Sequence, residues 1–389
     1  MNILFTPSDN SRTSGAFLCM VALIVILRDT YGHNVTVVLP YEGNGKELLD
    51  ECGIRNTLIP SYTWTTPLEG MNKPIKVLKD TVKAALTKRN AGRIAQLIEE
   101  GDIDVVHNNT SWGYIGALAA LETKTPLVWH IQEFLEEDQA RRIRWQKRGY
   151  ALMARSDRVL AISESIYDKY APIIGDDKLE LVLDGIDAHR YECADHEILA
   201  GGTVRFLLVG GGEYKGHSVA IKACLRLLEH GCNDFELVLL GNVGEAYRER
   251  LQALYAAVPG AAEHFVFPGP TDDTPAYYAA TDIFLMCSRA EAFGRVTVEA
   301  MMGGCLAIGA NTAGTKELIE DGVTGYLFEA ANPDDLARKI EYALEHKEQS
   351  RALAKEGQTY MLQNMTAEAN AAKVNRIYEE ILSKRAVHE

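Results

Sequence analysis

Short runs of apolar residues recur along the chain and alternate with longer segments of mixed polarity. In the first half these runs are MNILF, NVTVVLP, VVHNN, PLVWHI and RVLAIS, and in the second half they are VRFLLVG, FELVLLG, HFVFPG, DIFLMCS and CLAIGA. Runs of this length that are rich in β-branched and aromatic residues predict strands. Because FLLVG and LVLLG are continuously apolar, they predict parallel strands that are covered on both faces of a sheet.

The segments between these strands have the apolar spacing of amphipathic helices. This spacing is present at residues 16–28, 93–100 and 115–121 in the first half, and in SVAIKACLRLL in the second half. Strands that alternate with helices in two successive series predict an α/β protein with two doubly wound domains.

The length of the chain and an interruption of this pattern place the boundary between the domains. A chain of 389 residues is too long for a single hydrophobic core. Turn residues interrupt the alternation at LDGIDAHRYECADHE, which we interpret as the connection. We therefore expect an N-terminal domain at 1–188, a C-terminal domain at 189–365 and a terminal helix at 366–389.

The charge of the chain excludes one broad class of partner. Its formal net charge of −14 argues against nucleic acid, which binds to basic surfaces. The charge is unevenly distributed, because residues 1–190 carry 22 Lys and Arg against 25 Asp and Glu, whereas the remainder carries 18 against 29. All four tryptophans also lie in the first half, so we expect the two halves to face different partners.

Neither the apolar runs nor the cysteines are typical of a secreted or membrane-spanning protein. The longest apolar run, residues 17–27, is too short to cross a bilayer core of about 30 Å. A strand precedes this run, and it lacks a basic segment and a cleavage site, so we interpret it as a buried first helix rather than a signal peptide. Seven scattered cysteines without C-x-x-C spacing favour reduced thiols in a cytoplasm over a disulfide framework or a zinc site.

The loops that follow the strands are the candidate sites, because ligands of open parallel sheets bind at the carboxyl ends of the strands. One of them, VGGGEYKGH, joins a predicted strand to a predicted helix and is rich in glycine. A dinucleotide motif would require glycine in place of Lys215, and a P-loop would require lysine in place of His217. The loop instead suits a diphosphate-sized anion bound by backbone amides and Lys215. The alternative is a tight turn with a solvated lysine.

A second loop, in SRAEAFGRVTVEAMMGG, carries two glutamates, Glu291 and Glu299. Gly294 permits a sharp turn after the preceding strand, and a helix is expected to begin near Arg295, which places Glu299 inside the helix. A carboxylate beside the apolar face of a helix is costly unless it accepts hydrogen bonds, and the vicinal hydroxyls of a sugar or ribose are suitable donors. The alternative is that both glutamates cap or pair locally.

The sequence from 279 to 328, AATDIFLMCSRAEAFGRVTVEAMMGGCLAIGANTAGTKELIEDGVTGYLF, closely resembles retaining glycosyltransferases of family 4, which have the GT-B fold. The resemblance continues in the connection, where DGID stands for the usual NGVD, in the turn that ends at Lys215 and Gly216, and in PLVWHIQEF. It covers nearly the whole chain, and its E-x-F-G-x4-E run is specific. It implies two Rossmann-like domains that face each other across a cleft, with the terminal helix packed back on the N-terminal domain.

The resemblance also implies a role for residues in the matching motifs. Glu291, with the amides of Phe293 and Gly294, would hold hydroxyls of the donor sugar. Glu299 would hold the ribose hydroxyls of the nucleotide, and Lys215 would neutralise its diphosphate. The remaining implied residues are Ser14 and Gly15, whose loop would close over the diphosphate, His130 beside the sugar and acceptor, and Thr315 and Glu317 in the donor pocket.

The sequence departs from the family at one position. Most relatives carry an arginine shortly before the lysine of the glycine-rich turn, whereas this chain has Gly211 or Gly212 there. Arg295 stands where many relatives have an aliphatic residue, and we hypothesise that it supplies the missing charge at the phosphates. The catalytic candidates are His130, Lys215 and Glu291, and the donor-binding candidates are Ser14, Gly15, Gly211, Gly212, Lys215, Phe293, Gly294, Arg295, Glu299 and Thr315.

The activity implied by the resemblance is that of a retaining hexosyltransferase. It would move a sugar from a nucleotide-diphosphate sugar, expected to be a UDP-sugar, to a hydroxyl of a glycan or lipid-linked acceptor in cell-surface polysaccharide or glycoconjugate synthesis. We expect no cofactor and no metal, and we interpret Asp102 and Asp104, the D-x-D of the first half, as a strand entry. The alternatives are a nucleotide-sugar 2-epimerase of the same architecture and a sugar-binding partner subunit without turnover.

The acceptor is expected to meet the N-terminal domain, where basic residues are concentrated. Residues 73–93 contain seven basic residues and one acidic residue, and RRIRWQKR at 141–148 contains five basic residues around a tryptophan. Such surfaces suit anionic lipid at the inner face of a membrane, where a polyprenyl-linked acceptor would lie. The alternative is a solvated helix. Helical spacing would place on one face Arg141, Arg144, Trp145 and Arg148.

Overall fold

The apolar runs of the sequence form two sheets of parallel strands, and the strands near the centre of each sheet are buried along their whole length. The computed structural model describes residues 1–69, 72–193 and 196–386. The predicted connection and the predicted terminal helix therefore each include residues outside the described ranges, namely 194–195 and 387–389. The chain divides into two compact units, one formed by Met1–Gly185 with Ala367–Glu389 and the other by Ile186–Thr366.

The strands have the following bounds. In the first unit they are β1 (Asn2–Thr6), β2 (Asn34–Leu39), β3 (Arg55–Leu58), β4 (Thr65–Pro67), β5 (Val105–Asn109), β6 (Leu127–Ile131), β7 (Arg141–Ile143), β8 (Arg158–Ala161) and β9 (Leu179–Leu181). In the second unit they are β10 (Val204–Val209), β11 (Phe235–Leu240), β12 (Phe265–Gly269), β13 (Ile283–Met286), β14 (Leu306–Ala310) and β15 (Tyr326–Phe328).

The helices lie between these strands. They are α1 (Gly15–Asp29), α2 (Gly45–Glu51), α3 (Pro74–Glu100), α4 (Ile115–Thr123), α5 (Glu136–Gln139), α6 (Gln146–Met153), α7 (Glu164–Ile174) and α8 (Ala188–Tyr191), followed by α9 (His217–Glu229), α10 (Glu245–Ala253), α11 (Thr274–Ala279), α12 (Arg295–Met302), α13 (Thr315–Leu318), α14 (Pro333–Glu345), α15 (Lys347–Asn364) and α16 (Ala367–Ala386).

Both large sheets are doubly wound. In the described part of the first unit, parallel strands lie in the order β3-β2-β1-β5-β6-β8-β9, and in the second unit in the order β12-β11-β10-β13-β14-β15. The first strand of each unit pairs with the next strand on one side and with a later strand on the other, so the strand order reverses at β1/β5 and at β10/β13. The prediction of two doubly wound α/β domains is confirmed.

The last helix belongs to the core of the first unit. Its residues Ala371, Val374 and Tyr378 are completely buried and lie in the same apolar cluster as Phe5 of β1 and Ile24 of α1. Their spacing of three and four residues places them on one face of α16, so the apolar pattern of the sequence is sufficient to explain this packing. Within the described residues, no helix is both long enough and apolar enough to span a membrane.

The helix predicted at 93–100 is only the end of a longer one. The helix α3 begins at Pro74, and its buried residues start at Thr87 and continue through Ile94 to Ile98. In the first half of α3 the regularly spaced apolar residues are exposed rather than buried in the core, and the prediction did not include them.

The prediction of a basic helical face at 141–148 is wrong. The strand β7 pairs with β4 in an antiparallel ribbon, and the helix α6 begins only at Gln146. Arg141 stacks on Trp112 at 4.6 Å from the ring centroid, and Arg144 lies 3.3 Å from the carboxylate of Asp80. These cations are used in contacts within the unit because residues that alternate on a strand cannot share the face that helical spacing would give them.

Candidate functional site

The second sheet places two loops on either side of its reversal point. The strands β10 and β13 are neighbours, and the loops that follow them contain the glycine-rich turn and the stretch with the two glutamates. Ligands of open α/β sheets bind in the crevice outside the carboxyl ends of the strands where the strand order reverses. Topology therefore brings together two motifs that are more than seventy residues apart in sequence.

The two loops are held together by direct backbone contact. Gly216 has a φ of +77°, and a Cβ atom at this position would lie 2.0 Å from the carbonyl oxygen of Cys287 at the end of β13. The backbone N–H of Arg289 also donates a hydrogen bond of 3.1 Å to the carbonyl oxygen of Tyr214. Glycine at 216 is thus required both by its left-handed conformation and by the close approach of the second loop.

An ion pair connects the loops at the side-chain level. The ammonium of Lys215 lies 2.7 Å from Oε1 of Glu291, and the two side chains are only 14% and 13% exposed. The same ammonium lies 5.2 Å from the centroid of the Tyr214 ring. Since a charge that is removed from water is costly unless it is paired, each partner stabilises the other at this edge of the sheet.

The helix after the second loop begins as predicted. Gly294 has a φ of +98° and precedes Arg295, the first residue of α12, and Glu299 lies inside the helix with 4% of its surface exposed. Its Oε1 accepts a hydrogen bond of 2.5 Å from Nε of Arg295, and its Oε2 accepts one of 2.9 Å from the hydroxyl of Tyr278. The buried carboxylate therefore accepts hydrogen bonds from within its own helix and from α11, whereas Glu291 is paired with Lys215 of the other loop.

Tyr278 is a partner that the sequence did not indicate. It lies in α11, is completely buried, and its pKa is raised well above the ordinary value by burial and by the negative charge of Glu299. It therefore remains protonated and donates its hydrogen to Glu299. Nothing in the local sequence around Tyr278 marks it for this role, because the contact with Glu299 depends on how α11 packs against α12.

The structure also separates the two positions considered for the missing arginine. A Cβ atom at Gly211 would lie 2.0 Å from the carbonyl oxygen of Asn242, whereas the atoms nearest to a Cβ at Gly212 would belong to the ring of Tyr214, the closest at 2.4 Å. The first contact is with backbone, and the second is with a side chain that is 48% exposed and able to rotate. Gly212 has an extended backbone, with φ −81° and ψ 149°, so a side chain fits there once Tyr214 moves.

The loop that carries Glu291 is supported by a third segment. Gly314, which precedes Thr315 at the start of α13, donates its N–H to the carbonyl oxygen of Glu291 at 2.9 Å. A Cβ atom at Gly314 would lie 2.9 Å from three carbonyl oxygens of residues 291–293, so only glycine permits this approach. Phe293, which lies in the same loop as Glu291, is buried, with 5% of its surface exposed.

Several buried polar atoms at this edge have no hydrogen-bond partner among the described residues. They include Oγ of Ser288, Oγ1 of Thr297 and Oγ1 of Thr315, which lie after β13, in α12 and at the start of α13. Nε2 of His217, the first residue of α9, is a further example, and burial lowers the pKa of this histidine to about 4. His217 is therefore uncharged at neutral pH, and the positive charge of the glycine-rich turn comes from Lys215.

The remaining candidates belong to the first unit. Ser14 is the N-cap of α1, where its Oγ accepts a hydrogen bond of 3.4 Å from the N–H of Phe17 and donates one of 2.7 Å to Asp9. Gly15 is the first residue of α1. Both residues follow β1, at the reversal point of the first sheet. Asp104 precedes β5 and accepts a hydrogen bond from the N–H of Asn2, which supports the interpretation of Asp104 as a strand entry.

His130 lies in β6 and ends a chain of buried hydrogen bonds. Its Nδ1 is 3.3 Å from Nε2 of His107, whose Nδ1 is 2.6 Å from the hydroxyl of Tyr378 in α16. Its own Nε2 lies 3.9 Å from Oδ1 of Asp184. Burial lowers the pKa of His130 to about 3 and that of His107 well below its ordinary value, so both rings are neutral at neutral pH.

The Tyr378 hydroxyl determines the direction of these hydrogen bonds. If Tyr378 donates to His107, then His107 donates from Nε2 to Nδ1 of His130, and each hydrogen within the chain has an acceptor. In the opposite direction the hydroxyl hydrogen of Tyr378, which is completely buried, has no acceptor among the described residues, and this costs free energy. In the first direction the hydrogen without a hydrogen bond is the one on Nε2 of His130, which is buried but lies 3.9 Å from the negatively charged carboxylate of Asp184, so this direction is the less costly one. We therefore infer that His130 carries its proton on Nε2.

We expect nitrogen NMR to show His130 as a neutral ring with its proton on Nε2 between about pH 5 and pH 8, because its pKa is about 3. Tyr378→Phe removes the donor to His107, so both tautomers of His130 should appear and the free energy of unfolding should fall by about 1–3 kcal/mol. The matched control is Tyr170→Phe, which changes another fully buried tyrosine of the first unit. A wild-type His130 protonated on Nδ1 would contradict this inference.

Within the described residues, no three His, Cys, Asp or Glu side chains are grouped so that they could hold a metal ion. The candidates of the second unit, Lys215, Glu291, Arg295, Glu299 and Thr315, are instead arranged around the loops after β10, β13 and β14. The arrangement combines a cation, oriented backbone amides, one buried carboxylate and one that is partly buried, which are the groups that bind an anion next to a polyol.

Comparison with known proteins agrees with this arrangement. Residues 27–190 match the family model described as Glycosyltransferase Family 4, and residues 200–360 match the model described as Glycosyl transferases group 1. The two matches do not overlap, and together they account for most of the chain.

Curated relatives match over different shares of their length. Sulfoquinovosyl transferase SQD2 of Arabidopsis thaliana is 27% identical over 143 residues, which are 35% of this chain and 27% of that protein. The GDP-mannose-dependent alpha-(1-6)-phosphatidylinositol monomannoside mannosyltransferase of Mycolicibacterium smegmatis is 26% identical over 325 residues, which are 76% of this chain and 80% of that protein. The chain thus spans about a quarter of the first relative and about four fifths of the second.

A solved structure shares the whole architecture. The crystal structure of Anabaena Alr3699/HepE in complex with UDP and glucose matches with a TM-score of 0.79 and 22% identity, over 98% of this chain and 100% of that chain. This likeness, with the two doubly wound sheets, confirms the predicted GT-B fold.

Proposed function

The chain belongs to the glycosyltransferases of family 4, and on this premise we propose that it transfers a sugar from a nucleotide-diphosphate sugar to a hydroxyl group with retention of the anomeric configuration. We propose a UDP-sugar as the donor and a glycan or lipid-linked molecule as the acceptor, in cell-surface polysaccharide or glycoconjugate synthesis. The crystal structure of HepE, which has the same fold, contains UDP and glucose, whereas the M. smegmatis relative is named for GDP-mannose. Uridine and guanosine nucleotides should therefore both be tested as donors.

The observation that carries this proposal is the ion pair between Lys215 and Glu291. It joins the glycine-rich turn to the second loop at the point where the strand order of the second sheet reverses. A diphosphate bound at the turn would attract the ammonium of Lys215, and the carboxylate of Glu291 would then accept hydrogen bonds from hydroxyls of the donor sugar. The ion pair therefore holds both side chains with little exposure to water. When the substrate binds, Lys215 would exchange Glu291 for the diphosphate, and Glu291 would exchange Lys215 for the donor sugar.

The proposed reaction replaces one bond of the anomeric carbon with another. The bond from this carbon to the diphosphate oxygen breaks, and the electron pair leaves with the diphosphate. The acceptor oxygen forms the new bond on the same face, and its proton passes to the departing phosphate oxygen. Because negative charge grows on the diphosphate as the bond breaks, Lys215 and the amides at the starts of α9 and α12 lower the barrier most. Glu291 acts as a sugar clamp rather than as a nucleophile.

The charge of Arg295 belongs to the same proposal. Arg295 is the first residue of α12, and its guanidinium lies against Glu299. Glu299 is proposed to exchange this contact for the ribose hydroxyls when the nucleotide binds, which would release Arg295 toward the phosphates. Tyr278 would remain bonded to the other carboxylate oxygen and keep Glu299 in position.

Incubation with a panel of UDP- and GDP-sugars tests the function. We expect one donor to raise the melting temperature, since a ligand that binds only the folded state stabilises it, and to release nucleotide while the sugar reaches an acceptor hydroxyl or water. NMR of the product should show the anomeric configuration of the donor. A changed sugar on an intact nucleotide would indicate the epimerase, and binding without turnover would indicate the partner subunit; either result would overturn transfer.

A further inference from the structure

The first half of α3 lies outside the apolar core of the first unit. All residues from 74 to 86 are described, and each is exposed or half-buried, whereas burial begins at Thr87 and continues through Ala91, Ile94 and Ile98. The helix therefore leaves the core near residue 87 and extends for about three turns along its N-terminal part without packing on the sheet. A helical segment of this kind is stable by itself only marginally, so a further surface is expected to contact it.

The projecting half carries an apolar stripe. Ile75, Leu78, Val82 and Leu86 are 71%, 65%, 52% and 39% exposed. At about 100° per residue these positions lie within an arc of roughly 80° on the helix. Such a stripe is too regular for scattered surface residues, because its spacing of three and four residues is that of a helix face buried against something.

This stripe faces away from the core of the unit. On the same helical projection, the centre of the stripe is roughly 145° from the centre of the buried face formed by Thr87, Ala91, Ile94 and Ile98. The stripe therefore cannot be an extension of the packing of α3 on the sheet. Any partner of the stripe must therefore lie outside this unit.

The charged residues around the stripe indicate which kind of partner it would bind. Residues 73–93 carry seven basic residues and one acidic residue in a chain of net charge −14. The acidic residue, Asp80, is 3.3 Å from Arg144, so its charge is already compensated. On the helical projection Lys79 and Lys83 lie next to the stripe, and the ammonium of Lys83 is 5.6 Å from the ring centroid of Tyr62, which is 39% exposed.

We propose that this half of α3 binds the surface of an anionic bilayer. Ile75, Leu78, Val82 and Leu86 would enter the boundary between headgroups and acyl chains, while the lysines beside them would meet anionic headgroups. Apolar side chains bordered by lysines and a tyrosine are the composition of helices that lie in the plane of a membrane interface. The proposed surface consists of α3 and Tyr62, because Arg141, Arg142 and Arg144 make contacts within the unit.

Flotation with lipid vesicles tests this surface. The full chain should float at low salt with vesicles that contain about one third phosphatidylserine, and should remain in the soluble fraction with pure phosphatidylcholine. The apolar variant Ile75→Ser/Leu78→Ser/Val82→Ser and the charge variant Lys76→Gln/Lys79→Gln/Lys83→Gln should each reduce the bound fraction by about tenfold or more. High salt should reduce binding of the wild type as the charge variant does.

Matched controls change the same residue types elsewhere. Val258→Ser/Val323→Ser removes two exposed valines of the second unit, and Lys222→Gln/Lys316→Gln/Lys347→Gln removes three of its exposed lysines. These variants should float like the wild type. If the wild type stays soluble at low salt, or if all variants float equally, the proposal is wrong.

Two further results separate this proposal from its competitors. If the apolar variant changes only the oligomeric state in sedimentation, the stripe is an interface between copies of the chain and the lipid proposal is overturned. Hydrolysis of the donor sugar should be unchanged in the α3 variants, because no residue of the donor site lies on this helix. A protein that floats but turns over no donor would therefore refute the proposed function and leave the lipid surface supported.

Discussion

Replacing Lys215 with alanine is expected to lower kcat by about 10²-fold or more, with a smaller change in KM. The ammonium is the cation of the glycine-rich turn, and the negative charge of the departing diphosphate is greatest in the transition state. An interaction that strengthens as this charge develops acts on kcat rather than on binding of the intact donor. Steady-state kinetics with the donor found in the panel would measure both parameters.

Two variants separate loss of charge from loss of structure. Lys215→Ala leaves Glu291 with a poorly exposed and unpaired carboxylate, so the melting temperature should also fall. Lys215→Ala/Glu291→Gln removes this uncompensated charge and should recover the melting temperature while kcat stays low. Lys222→Ala, an exposed lysine further along α9, should resemble the wild type in both measurements. A Lys215→Ala enzyme with wild-type kcat would show that the turn does not hold the diphosphate.

Replacing Arg295 with alanine is expected to lower kcat by about as much as replacing Lys215, on the order of 10²-fold or more. This magnitude follows if Arg295 supplies the charge of the arginine that the family carries in the glycine-rich turn. If Arg295 only positions Glu299, its removal should instead weaken binding of the nucleotide and raise KM. Wild-type turnover in the Arg295→Ala enzyme would refute the hypothesis.

Restoring an arginine to the turn provides the sharper test. Gly212 has an extended backbone, and the atoms nearest to a Cβ there belong to the ring of Tyr214, so Gly212→Arg should recover much of the kcat lost in Arg295→Ala. Gly211→Arg is the matched control, because a Cβ atom at 211 would lie 2.0 Å from the carbonyl oxygen of Asn242 and should disturb the turn. Rescue by neither variant, with a folded Gly212→Arg enzyme, would indicate that Arg295 serves Glu299 and not the phosphates.

The pairing of Arg295 with Glu299 also predicts the behaviour of stability. Glu299 is 4% exposed, and in Arg295→Ala it would lose its cationic partner and keep the hydroxyl of Tyr278, so the melting temperature should fall. Adding Glu299→Gln should recover part of it, because a neutral amide is less costly to bury than a carboxylate. Far-ultraviolet circular dichroism and thermal melts of the three proteins would show whether a loss of kcat is chemical or structural.

The sequence by itself determined the architecture of this protein. Continuous apolar runs such as LVLLG and CLAIGA are typical of parallel strands covered on both faces, so they predicted both sheets and the loops where ligands bind. The start of α12 was equally local, since Gly294 and the apolar spacing after it lie within a few residues of Glu299. A strand or helix can be found from the sequence when the residues within it are sufficient to determine its backbone conformation.

Tertiary structure alone decided which side chains meet. Lys215 and Glu291 are partners because β10 and β13 are neighbours, and Tyr278 reaches Glu299 because α11 packs against α12. The hydrogen bonds from Tyr378 to His107 and His130 depend on the return of α16 to the first unit, and the exposure of the α3 stripe depends on where that helix leaves the core. These contacts join residues that belong to different strands and helices. The spacing of residues within one element does not predict them, because the distance between two such side chains depends on how the elements pack.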